Sequence, residues 1–237
     1  MIDENPDGSR ARTIRSALLE VLLIAFGILL ALGADATWTL FKERADTRAA
    51  LASVRAELEQ NINALAELEQ AHRNVEEAGK DILRLTGPDA EVLDEAELVR
   101  LITTFWVPAE ADLSRGALQA LLSSGGLARV ESLELREGIA SWSNRLDAGA
   151  QSDAMVTDSW VSRGSIRLHV FVPEINLSGQ YSGWEVPSRF EPDYVGLLRD
   201  LQFESLIAQR MGLSAIGAGR AVRLQDEGRR ILSLPGW

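Results

Sequence analysis

The sequence predicts an all-α protein, with one N-terminal transmembrane helix followed by a helical-bundle domain. Two observations carry this. Residues Ala17 to Ala34 form an almost unbroken apolar run, close behind Arg10, Arg12 and Arg15. From Leu51 to Ile82 apolar residues then recur three and four apart, the period of an amphipathic helix. Beyond that seam the pattern stays helical almost throughout.

Residues 1–13 read as a short disordered tail, polar and interrupted by Pro6 and Gly8. Residues 14–38 read as the span. About 20 mostly apolar residues at ~1.5 Å each match a hydrocarbon core of roughly 30 Å. A basic start and an apolar run also describe a secretory signal peptide, and Ala34-Asp35-Ala36 resembles a cleavage site. The run is longer than a signal core of about 7–15 residues, and the helical pattern continues past it, which favours a retained anchor. Trp38 and Phe41 fall where an interfacial aromatic belt belongs. Orientation is finely balanced, because Lys42, Arg44 and Arg48 follow the run as three arginines precede it. The preceding arginines lie nearer, which favours a cytoplasmic N-terminus and an exported C-terminal domain at the inner membrane.

The remainder, 39–237, reads as one helical soluble domain opened by a long helix over about 39–85. Its seam is Leu51, Val54, Leu58, Asn61, Leu65, Leu68, His72, Val75, Gly79 and Ile82, with Arg55, Glu57, Glu59, Glu67, Glu69, Arg73, Glu76 and Glu77 between. Gly87-Pro88 stops it. Such a seam fits a coiled coil or one helix of an intramolecular bundle. The many apolar helical residues that follow need a partner surface and favour the bundle. Shorter helices are expected near 91–105 and 111–123, then a turn at Ser123-Ser124-Gly125-Gly126. A helix capped by Ser132 should run to about Leu146 and on towards Val172. Residues 166–172 (IRLHVFV) also alternate like a strand, so their class is ambiguous. Residues 174–192 carry Gly, Ser, Pro and aromatics and read as a long loop, before a last helical region over about 193–232.

The span and a second patch resemble a known family. Glu20-Val21-Leu22-Leu23-Ile24-Ala25-Phe26-Gly27-Ile28-Leu29-Leu30-Ala31-Leu32, with Asp35 and Trp38 after it, is similar to the anchor of an uncharacterised family of small bacterial single-pass membrane proteins. There a Glu opens the span, Gly-Ile-Leu and Ala-Leu follow, and a Trp closes it. Ser123-Ser124-Gly125, Leu127, Val130 and Glu134-Leu135-Arg136 resemble that family's Ser-Ser-Gly turn and Glu-Leu-Arg helix. Phe203-Glu204, opening the last helix, is a third point of likeness. The chain departs from the pattern at Gly33, where the family usually has Gln, and at Trp38, one residue later than expected. The family is one of unknown function, so the resemblance implies a topology and no reaction.

Composition excludes several functions. The 237 residues hold 24 Lys and Arg against 35 Asp and Glu, a net charge of -11. That is a poor partner for nucleic acid or for anionic lipid heads, and it suits solubility. There is no cysteine, hence no disulfide, thiolate ligand or thiol nucleophile. Glu69-Gln70-Ala71-His72 is an E-x-x-H pair, but a di-metal bundle needs a second, and the other histidine, His169, follows Ile166 at that spacing. Ser123 and Ser124 lack a nucleophile-elbow context, and no phosphate-binding loop occurs. No catalytic, cofactor-binding or metal-binding residue is therefore assigned, and no cofactor is expected.

Four groups of residues remain as interaction candidates. Glu20 is an ionisable residue inside the span, where such a group is functional unless it reaches the headgroups. Gly27 and Ala31 make a small-xxx-small step on nearly the same helix face. Trp38 and Phe41 are the interface anchor. Tyr181 and Trp184 lie in the long loop and mark a ligand or partner site. The other tryptophans, Trp106, Trp142, Trp160 and Trp237, suit a core better than a cleft. The expected role is protein–protein interaction or self-association at the bilayer, with another membrane or exported protein or a second copy as partner, and no enzyme activity. The alternative is a ligand-binding sensory domain closed by the 174–192 loop, which would signal through a partner.

Overall fold

The computed structural model describes residues 7–177, 186 and 188–237. Among them there are helices and turns and no strand, so the all-α class holds. The chain divides into two compact units, Met1–Leu51 and Ala52–Trp237.

Helix α1 (Asp7–Leu85) supplies the first unit. It opens at Asp7, seven residues before the expected start, so 7–13 are helical where a tail was expected. Arg10, Ala11 and Arg12 are good helix formers, and an adjoining apolar helix supplies the nucleus they extend. No break separates span from soluble helix at residue 38; the division between compact units comes at residue 51. Two hydroxyls near the end of the apolar run are satisfied inside the helix: Thr37 donates to the Ala34 carbonyl (2.8 Å) and Thr39 to that of Asp35 (2.9 Å). Such back-bonding removes the need for water.

In the second unit the rest of α1 buries Val54, Leu58, Asn61, Leu65, Leu68, Val75, Gly79 and Ile82, the expected seam. It ends where Gly87 takes a φ of 147° and donates to the Leu198 carbonyl at 3.0 Å. Helix α2 (Glu95–Trp106) starts four residues later than expected, because Asp94 accepts from the Glu97 N–H and caps it. Helix α3 (Gly116–Ser123) leads through Gly125, at φ 68°, into a 3-10 turn over Gly126–Arg129. Helix α4 (Leu133–Leu168) opens on Ser132, whose Oγ accepts from Leu135 N at 3.2 Å. The ambiguous stretch 166–172 is the end of α4 and a turn, with Val172 N bonded to the Leu168 carbonyl. The expected loop over 174–192 begins with a helical turn at 174–177. The last helical region is two helices, α5 (Tyr194–Leu198) and α6 (Leu201–Leu232). Asp200 interrupts it by capping a new helix, accepting from Phe203 N at 3.1 Å.

Contacts fix the relative course of these segments. Along α6, Met211 meets Gly79, Gly217 meets His72, Gln225 meets Leu65 and Gly228 meets Ile62, so α1 and α6 run antiparallel. Ile231 against Gly138, Glu227 against Ser141 and Asp200 against Arg167 make α4 and α6 antiparallel too. Between them, 86–132 runs back along α1. Ala90 receives Arg199, Phe105 receives Arg210, and Leu118 donates to Glu57. The main core is Val75, Ile82, Leu98, Ile102, Phe105, Leu168, Leu197, Phe203 and Ile207 with their neighbours.

The α1–α6 contact seats long side chains over glycines. A Cβ on Gly79 would lie 2.6 Å from Met211 Cγ and 2.9 Å from the Phe105 ring. Gly79→Ala therefore sets a helix-propensity gain of up to about 1 kcal/mol against overpacking of about 1–3 kcal/mol. Packing should win: thermal unfolding of Gly79→Ala should show a lower midpoint, and adding Met211→Ala should recover part of it. A higher midpoint for Gly79→Ala would show that Met211 does not fill this space.

Candidate functional site

Among the described residues, apolar side chains stand exposed on α1 and again between the end of α4 and the start of α6. The first surface is on α1. Leu22, Leu23, Ile24, Phe26, Ile28, Leu29, Leu30 and Leu32 are all exposed, and so are Trp38 (72%) and Phe41 (70%). This helix is long and apolar enough to cross a membrane, with a window of mean hydropathy 1.7 and none of it buried. Gly27 and Ala31 are exposed on the same helix, and a Cβ on Gly27 would meet nothing within 4 Å. Glu20 belongs to α1 seven residues before Gly27. Globular domains rarely leave so large an apolar surface open.

The second surface lies between the end of α4 and the start of α6. Ile166 (72% exposed), Val170 and Leu201 (73%) line a groove of about 550 Å³ with Leu206, Gln202, Ser205 and Gln209. Arg167 belongs to this lining, but its guanidinium is committed to Asp200 through two bonds of 2.5 and 2.6 Å. The groove is thus apolar with neutral polar edges. It sits at the end of the second unit marked by Leu85 and Leu198, remote from Ala52. Sequence reading missed it. Leu201 directly follows a capping Asp, and a lone apolar residue there carries no periodic signal.

Polar side chains inside the second unit hold helices together. Glu57 is buried, although its place between seam positions suggests a solvated face. Helix α3 has no side-chain cap of its own, and Glu57 supplies one, accepting from Ala117 N (2.7 Å), Leu118 N (3.0 Å) and Ser114 Oγ (3.2 Å). A carboxylate at a helix N-terminus is favoured by the exposed N–H groups there. Asn61 adds a two-way clasp to Ser114, donating to its carbonyl at 2.7 Å and accepting from its N–H at 2.8 Å. Arg210, 5% exposed, closes the other end of this segment. It donates to the carbonyls of Phe105 (3.2 Å) and Val107 (3.0 Å) at the C-terminal end of α2. Burial pulls its guanidinium down to about 10, so it stays charged at neutral pH.

The E-x-x-H pair does structural work. Glu69 accepts from Arg73 (2.6 Å) and Gln225 (3.1 Å), and those bonds hold its carboxyl below the usual range. His72 is half-buried over Gly217, and His169 pairs with Glu174. Among the described residues no three His, Asp or Glu side chains gather as a metal site. Trp142 is buried, Trp106 and Trp237 are half-buried, and Trp237 donates to the Ile231 carbonyl at 3.1 Å. Tyr181 and Trp184 lie outside the described residues.

No protein-family model, curated protein or solved structure matches this chain.

Arg167 lines the groove while its partner Asp200 caps α6, and the titration of the pair is predictable. The Arg167 bonds, then the Gln202 and Phe203 N–H groups, hold the Asp200 carboxyl below its ordinary value against the opposing effect of burial. A depressed carboxyl adds stability that is present above its unfolded value of about 3.9 and is lost as pH falls through the lower folded value. Asp200→Asn should therefore cost about 1–3 kcal/mol at pH 7, read by chemical denaturation. The gap to the parent should narrow as pH falls below about 4. A gap independent of pH would remove the ionised pair from the account.

Proposed function

We propose that this chain is a bacterial single-pass membrane protein that works by binding another protein or a second copy of itself. In this reading α1 crosses the inner membrane with its N-terminus in the cytoplasm. The second unit, an up-and-down helical bundle, lies on the exported side. The observation that carries the proposal is the row of exposed apolar side chains described on α1 between Leu22 and Phe41. Arg10, Arg12 and Arg15 before it support the orientation. The seam over 51–82 is not the binding surface, since it is buried. The groove of Ile166, Val170 and Leu201 is an apolar surface that a partner could cover in the second unit. No reaction enters this reading, which also places the chain beside the small single-pass family that its anchor resembles.

Within the span, Glu20, Gly27 and Ala31 share a face suited to a second helix. The carboxyl there gains a hydrogen-bond partner that lipid cannot offer.

Three measurements test this. The full chain should stay with membranes through an alkaline carbonate wash, and a periplasm-dependent reporter fused after Trp237 should be active. A soluble product beginning near Thr37 would make the run a cleaved signal peptide. Glu20→Leu and Gly27→Leu should each reduce cross-linking between copies, or to a membrane partner, in mild detergent. Unchanged cross-linking in both would reduce the span to a plain anchor.

A further inference from the structure

An isolated helix needs about 12–15 residues to hold itself in water. Helix α3 has 8, so it depends on what surrounds it. It begins on Gly116 and has no side-chain cap of its own, and both features weaken it further. Two of its side chains are buried, Leu118 and Leu121. The stretch 107–115 that leads into it holds no helix, and none of its residues is buried. The chain leaves it through Gly125, whose φ of 68° suits glycine. A segment that buries so little between irregular ends opens at lower cost than the elements beneath it.

Beneath it lies a narrow cavity. Val54 and Leu58 of α1, Ile139 and Trp142 of α4, and Ile231 of α6 line it, and Leu118 of α3 completes the lining. With α3 in place the cavity has about 10 Å³ of room, roughly one water. The three long helices meet each other without α3. A Cβ on Gly228 of α6 would lie 3.0 Å from Ile62 of α1, and one on Gly138 of α4 would lie 3.1 Å from Ile231 of α6. Polar latches fasten the segment to this frame. Glu57 accepts from Ser114 Oγ, Ala117 N and Leu118 N, and Asn61 clasps Ser114. Arg115 reaches α4, where it pairs with Asp147 and donates to the Leu146 carbonyl at 2.7 Å. Water can replace such bonds at small net cost.

We propose that α3 and the strap 107–115 form a lid, hinged at Gly125, that opens as a unit over this cavity while α1, α4 and α6 stay packed. Opening breaks the Glu57, Asn61 and Arg115 latches together. It uncovers Val54, Leu58, Ile139, Trp142 and Ile231, all buried when the lid is shut. The Glu57 carboxylate exchanges its three donors for water, so the open form strands no buried charge. The lid is independent of the membrane reading above, because it lies wholly within the second unit.

The test is native-state hydrogen exchange on the full chain in a neutral detergent, with low concentrations of urea. The amides of 117–124 should exchange together, faster than the slowest amides of α4 and α6, and with a shallower dependence on urea, since a lid exposes less surface than unfolding does. Ile82→Val trims the main core away from the lid. It should speed the slowest frame amides several-fold and leave 117–124 unchanged, because lid opening does not break that core. Glu57→Gln and Arg115→Gln should each speed 117–124 about tenfold, the loss of a charge-assisted hydrogen bond. Arg115 lies at the partly exposed edge of the lid, so its variant carries the test even if Glu57→Gln fails to fold. The proposal is overturned if 117–124 are as protected as the slowest frame amides, or if Ile82→Val speeds both alike. It is equally overturned if Arg115→Gln leaves 117–124 unchanged.

Discussion

The antiparallel contact of α1 with α6 is the constraint on which the second unit depends. Its register is set by volume. Met211 occupies the space over Gly79, His72 the space over Gly217, and Ile62 the space over Gly228. Each glycine costs its helix roughly 1 kcal/mol relative to alanine, so glycines kept at three such points indicate that packing outweighs propensity. A slip of one residue would drive three large side chains into three backbones. Once that register is set, Gln225 faces the Leu65 carbonyl and Glu69, and Arg210 faces the end of α2.

The second consequence concerns helix ends. The segment 86–132 carries two short helices that bury little area of their own, and their unpaired backbone groups need partners. Glu57 and Asn61 serve the start of α3, and Arg210 serves the end of α2. All three side chains come from long helices whose positions are already fixed. Their burial is tolerable because their hydrogen-bonding atoms meet complementary groups. Breaking one contact leaves both a helix end and a buried polar group without its partner, so these residues are more sensitive than their number suggests.

That division of labour explains what was legible in the sequence. The apolar run, the seam from Val54 to Ile82, the stop at Gly87 and the Ser132 cap are local patterns, and each occurs where its pattern places it. The helix start at Glu95 and the break at Asp200 are less legible, since capping by a single Asp competes with an unbroken helical period. Glu57 could not be read from sequence at all. Its partners are Ala117 and Leu118, sixty residues away, and a Glu on a helix flank otherwise looks solvated. The groove at Ile166 and Leu201 was illegible for a similar reason, since it arises where two helix ends meet.

The two apolar surfaces differ from the core in one respect that bears on function. The core of the second unit closes without them: Phe105, Phe203, Ile82 and Leu168 are fully buried, while Ile166, Val170 and Leu201 remain in the open nearby. Folding gains little from residues left this exposed, and each raises the cost of solubility. The Arg167–Asp200 pair keeps the adjoining charges internally matched, so the proposed apolar partner would not have to strip water from an unpaired ion there. On α1 the described apolar side chains between Leu22 and Phe41 are exposed in the same way, and in the proposed reading lipid is their solvent. In the proposed reading both surfaces cost the free chain and gain only on contact, one with lipid and the other with a protein partner.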